Sequence, residues 1–127
     1  MARTLAGRDW QCRVMADTAS NATGSYAAAN WIALTADTTA PSTASTTLTG
    51  ELTGGTMGRA QGVYAHTNGT ATYTITKTFT ADRTVTVAKI GVLNASASGT
   101  LVFETLLDST ASLKSGDTLQ VIFTGTL

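Results

Sequence analysis

The chain has one cysteine, one proline and one histidine in 127 residues, and only 13% of its residues are charged. Each scarcity excludes something. With Cys12 alone no intrachain disulfide can form, and a thiol between Gln11 and Arg13 reads as a small half-buried side chain rather than a nucleophile. The one imidazole, His66, stands beside the turn signal Asn68-Gly69 and reads as a turn-flanking surface residue, not a general base. The eight acids are scattered, no His, Cys and carboxylate set has ligand spacing, and there is no phosphate-cradling Gly-Lys-Ser motif. The expectation is a protein with no catalytic residues, no metal and no cofactor. Aromatics are 6% of the chain, few stand beside Lys or Arg, and the formal net charge is zero. Nucleic acid needs a basic field and stacking surfaces, so it is not an expected partner. No apolar run approaches the ~18 residues of a membrane span, so a membrane is not expected either. The first residues lack the apolar core of a signal peptide, which predicts synthesis and folding in the cytoplasm.

What is abundant is threonine, about a fifth of the chain, with alanine close behind. Threonine favours strands because its branched Cβ restricts χ1 and packs well on a pleated surface. A surface of Thr and Ala with little charge suits a protein whose faces lie against other copies or another protein, since a free monomer usually carries more charge.

The strand pattern is clearest from Thr70 to Thr80, where every even position is Thr and the odd positions are Ala71, Tyr73, Ile75, Lys77 and Phe79. Period two puts the threonines on one face and the apolar set on the other. Further strands are expected at Trp31 to Leu34, Gln61 to His66, Thr84 to Ile90, Thr100 to Leu107 and around Leu119, Val121 and Phe123. Between them, Thr35 to Thr47 reads as a long small-polar loop holding Pro41, and Gly50 to Arg59 as turns rich in glycine. Short turns and no helical period longer than a turn predict an all-β chain, a single antiparallel β-sandwich of Greek-key or jelly-roll type over residues 31–127.

Residues 1–30 are expected to be an irregular N-terminal arm. Trp10, Cys12 and Val14 alternate with polar residues and suggest one short strand, Ala16 to Asn30 reads as a loop, and Tyr26 to Asn30 has room for a helical turn. Arg3, Arg8 and Arg13 are opposed locally only by Asp9, so they and Trp10 are the candidate interaction residues for an acidic neighbour. A second group is structural. Lys77 and Lys89 fall on the apolar phase of their strands, where a charge must be paired or reach water. Glu51 is the expected partner, either of Arg59 eight residues on or of one of those lysines.

From Trp31 onward the order of motifs resembles a family of small virion proteins of tailed phages, of tail-fibre or tail-collar type. The matching pieces are Trp31-Ile32-Ala33-Leu34, Thr38-Thr39-Ala40-Pro41, Leu48-Thr49-Gly50-Glu51, Gly58-Arg59, Lys77-Thr78-Phe79-Thr80, Ile90-Gly91-Val92-Leu93-Asn94 and Ser115-Gly116-Asp117-Thr118-Leu119. The chain departs from that pattern at Lys89, where the family commonly has an acid before Ile-Gly. The resemblance implies a virion β-domain without catalytic residues. One compact domain with a basic arm then suits a capsid decoration (cement) protein on the outer surface of the head. A tail adaptor or short tail-fibre (host-adhesion) protein is the alternative. The expected partners are the protein itself, as a homotrimer, the major capsid protein or tail proteins, and a host-surface glycan in the adhesion reading. The expected location is the virion surface.

Overall fold

The computed structural model describes residues 1–18 and 26–127. Residues 19–25, part of the loop expected over Ala16 to Asn30, lie outside the described residues. Strands β1 (Trp31–Thr35), β2 (Ala60–Gln61), β3 (Val63–His66), β4 (Thr72–Thr80), β5 (Val85–Leu93), β6 (Leu101–Leu113) and β7 (Thr118–Thr126) form two antiparallel sheets. One has the order β2-β1-β5-β6 and the other β3-β4-β7. They pack face to face over Ile32, Leu34, Tyr73, Ile75, Phe79, Val87, Ile90, Val92 and Val121, which makes the chain a β-sandwich, as its alternating pattern predicts.

The Thr70 to Thr80 alternation becomes β4, with Tyr73, Ile75 and Phe79 buried and the threonines on the outer face. Three of those threonines face threonines of β7, as Thr72↔Thr126, Thr74↔Thr124 and Thr80↔Thr118. The strand expected over Gln61 to His66 is broken at Gly62, where the chain passes from one sheet to the other. A Cβ there would stand 2.4 Å from the Ile75 Cγ2 atom, so only glycine lets the backbone cross so close to the core.

The N-terminus departs from expectation. Residues 5–16 do not belong to an irregular arm, and Trp10 to Val14 is no strand. Leu5–Ala16 is a helix, α1, capped by the Thr4 hydroxyl, which accepts a hydrogen bond from the Gly7 amide at 3.0 Å. Three alternating apolar residues are too few to decide a period. The buried positions are Cys12 and Ala16, one helical turn apart, while Trp10 is 65% exposed. Both buried residues join the main core, with Met15 packed beside them. The Ala29 amide donates to the Met15 carbonyl at 2.6 Å, and Asn30 Nδ2 to the Ala16 carbonyl at 2.9 Å. No helix forms over residues 27–30.

One core group is poorly served. The Tyr73 hydroxyl is buried without a hydrogen-bond partner among the described residues, and burial pushes its pKa up to about 12. Gly125 makes room for the ring, since a Cβ there would meet it at 2.4 Å. Tyr73→Phe is therefore expected to leave the fold intact and to raise its stability by about 1 kcal/mol, because an unmade buried bond costs more than the hydroxyl contributes. A lower denaturation midpoint in the phenylalanine variant would show that the hydroxyl is satisfied after all.

Candidate functional site

The charged residues separate into those holding loops onto the sandwich and those facing outward. Arg59 belongs to the first set. Its Nε and Nη2 donate to the two Glu51 carboxylate oxygens at 3.0 and 2.7 Å, while Nη1 donates to the carbonyls of Ala95 and Ser98 at 2.9 and 2.8 Å. Of the alternatives for Glu51, Arg59 is thus the partner. A guanidinium whose fork is filled in this way ties the glycine-rich segment to the β5–β6 loop.

Lys89 lies elsewhere than its strand phase suggests. Val87, Ile90 and Val92 all belong to the main core, and the β5–β6 register slips between Val87 and Lys89. That irregularity reverses the alternation and turns Lys89 out of the sandwich, under the loop that follows β1. There its side chain is only 3% exposed, with Nζ 2.7 Å from Asp37 Oδ2 and 3.9 Å from Glu104 Oε1. Asp37 also accepts from the Thr39 amide and hydroxyl, and Glu104 from the Ser42 amide and the Ser45 hydroxyl. The ammonium is the main cause that lowers the Asp37 pKa to about 2. Lys77 does stay on the inward phase of β4, half-buried, but has no ion pair among the described residues, so the pairing expected for it is not found.

His66 is also not the surface residue its turn suggests. Its side chain is 5% exposed, Nε2 lies 2.8 Å from Asp9 Oδ1 and Nδ1 lies 2.7 Å from the Thr72 carbonyl. Both partners are acceptors, so the ring makes both bonds together only when it is protonated to the imidazolium. Asp9, first of all, and then the Thr72 carbonyl raise the His66 pKa above its ordinary 6.5. The same bond, helped by the Gly69 amide at 2.9 Å, lowers the Asp9 pKa below 3.8. The pair clamps α1 to the β3–β4 turn, a link between residues 57 positions apart that no local pattern could reveal.

The clamp gives a pH dependence. A raised histidine pKa contributes stability that is complete below about 6.5 and is lost as pH rises through the folded value, while the lowered Asp9 pKa loses its share only below about 3.8. Melting temperature should therefore fall as pH rises above about 6.5 in the native chain and stay flatter in Asp9→Asn. Parallel profiles for the two proteins would remove the clamp from the account.

The remaining candidates face outward on α1. Ala6, Trp10 and Arg13 follow one another at helical spacing on its exposed face, and together with Asp9 and Asn68 they line a groove of about 250 Å³. Arg13 lies 3.8 Å from Asp17, and Arg3 donates to Gln11 at 3.3 Å. Arg8 does not share this face, because its Nε is buried without a partner. The structure thus brings Trp10 and Arg13 together, with Arg3 near the helix start, and separates them from Arg8. No helix among the described residues is long and apolar enough to cross a membrane, and no group of three or more His, Cys, Asp or Glu side chains converges there. Compared with protein-family models, with curated proteins and with solved structures, the chain gives no match in any of the three.

Proposed function

We propose that the chain is a non-enzymatic structural protein of a tailed-phage particle, a decoration protein that sits on the outer surface of the head as a homotrimer. The observation that carries the reading is how its charges are placed. Glu51, Arg59, Lys89, Asp37, Glu104, His66 and Asp9 all bind other parts of the chain, while β4 turns a face of threonines outward and α1 a face that carries Trp10 and Arg13. A firmly clamped helix presenting Trp10 and Arg13 is suited to an acidic protein surface, with the tryptophan as the main anchor and each exposed ion pair worth about 1 kcal/mol or less. The major capsid protein is the proposed partner.

Binding of the purified protein to undecorated particles tests this. Trp10→Ala combined with Arg13→Glu changes exposed side chains only, so the variant should melt like the native chain and lose its binding. Undiminished decoration by that variant would rule out α1 as the docking face. Copy number on purified virions then separates the two virion locations. Hundreds of copies support the head, and a few dozen or fewer move the protein to the tail as an adaptor or short fibre.

A further inference from the structure

The two sides of the sandwich are finished differently. On one side the edge strands are β2 and β3, of two and four residues, and α1 packs against β3. On the other side they are β6 and β7, of thirteen and nine residues, and neither has a hydrogen-bonded neighbour on its outer edge among the described residues. A groove of about 460 Å³ runs between them, lined among others by Ile90, Leu106, Leu107, Val121 and Phe123. Of its lining residues, Leu106 and Ile122 remain 40% and 58% exposed. Proline and lysine, two of the usual protections of a long edge, are missing from both strands.

We propose that this open side is where copies of the chain associate, with β7 of one copy added antiparallel to β6 of the next. The proposal rests on the homo-oligomer reading above and names the surface that carries it. Direction is the first argument. The turn Lys114 to Asp117 reverses the chain between β6 and β7, and the Phe103 and Phe123 rings meet across the interior at 5.2 Å, so the two edges lie side by side with opposite sense. Rotation about an axis parallel to the strands keeps those senses. It therefore sets β7 of one copy antiparallel to β6 of its neighbour and joins the three-stranded sheet of one to the four-stranded sheet of the other. A single foreign strand would cover one edge and leave the other bare, whereas a copy of this chain supplies both.

Charge is the second argument. β7 has no ionisable side chain, and on β6 Glu104 is held by Lys89 and the Ser42–Ser45 turn. That leaves Asp108 on β6 and Lys77, the β4 partner of Val121, without an ion pair among the described residues. One unmatched charge of each sign suits a contact between like copies and disfavours a strongly acidic or basic strand. Size is the third. Nine residues at about 3.3 Å run about 30 Å, and a sandwich side is roughly 20 Å across, so a contact buries on the order of 1,000 Å² in total, the lower range of specific interfaces.

Sedimentation of the full chain at tens of micromolar tests the surface. The native protein should sediment as a multiple of its 13.0 kDa mass, and Leu106→Lys or Ile122→Lys should reduce it to a single mass. Both positions are exposed, so both variants should fold, and a far-ultraviolet melt checks that they do. Val63→Lys, still more exposed at 72% but on the opposite edge strand, should leave the assembly whole. A twofold mass that is lost in the two edge variants upholds the surface and overturns only the three-fold count. A trimer that survives both lysines overturns the surface and upholds the count. A native monomer at this concentration overturns both.

Discussion

Replacing Lys89 by alanine is expected to cost about 3–5 kcal/mol, enough to lower the melting temperature by roughly 10–20 °C. The figure follows from what the ammonium leaves behind. Asp37 and Glu104 converge on it from the loop and from β6, and the side chain is 3% exposed, so removing it strands two carboxylates in a site that water reaches poorly. The loop is affected as well, because Asp37 fixes the turn at Thr39, and Glu104 holds Ser42 and Ser45. Beneath that loop lies a small second core of Ala33, Leu48 and Leu93, which depends on the loop for its cover. Lys89→Met with Asp37→Asn keeps the methylenes and removes a charge from each side, so it should recover a good part of the loss. In acid, the contribution of Asp37 is complete above its ordinary 3.8 and disappears as pH falls toward about 2. If Lys89→Ala melts within a degree or two of the native chain, the cluster is an incidental surface contact.

Deleting residues 1–15 is expected to destabilise the β-domain by about 3–5 kcal/mol, and not merely to free it of a docking arm. The deletion removes Cys12 from the core, takes away the Met15 side chain packed against it, and leaves the Ala29 amide without its acceptor. It also leaves His66 without Asp9. Trp10→Ala with Arg13→Glu, by contrast, touches only the outward face. The two experiments together separate the helix as part of the fold from the helix as a contact surface. A truncated chain that melts normally would show that α1 is dispensable to the sandwich.

Some of this was legible without any coordinates. Period-two alternation in β4 and β7, turn chemistry at Asn68-Gly69 and Ser115-Gly116-Asp117, and β-branched composition are local signals, and local signals place strands. That Glu51 should pair was also readable, but the choice of Arg59 over Lys77 or Lys89 was not. The strand expected at Trp10 to Val14 failed because three alternating residues fit a helix equally well. The choice was made by Cys12 and Ala16 finding the core one turn apart, and by the Asp9–His66 bond across 57 positions.

By itself, then, the sequence determined the class of the protein. Low charge, abundant threonine and a two-residue hydrophobic period permit little other than stacked sheets, because each strand must bury one face and leave the other polar. The sheet order, the direction Lys89 faces and the identity of the open edges were decided only in three dimensions. An irregularity of one strand against its neighbour reverses every later side chain, and no residue in the strand itself announces it. An edge, likewise, is a property of what fails to lie beside a strand. β6 and β7 carry the same residues whether paired or bare, and only the packing of both sheets leaves them uncovered on the same side.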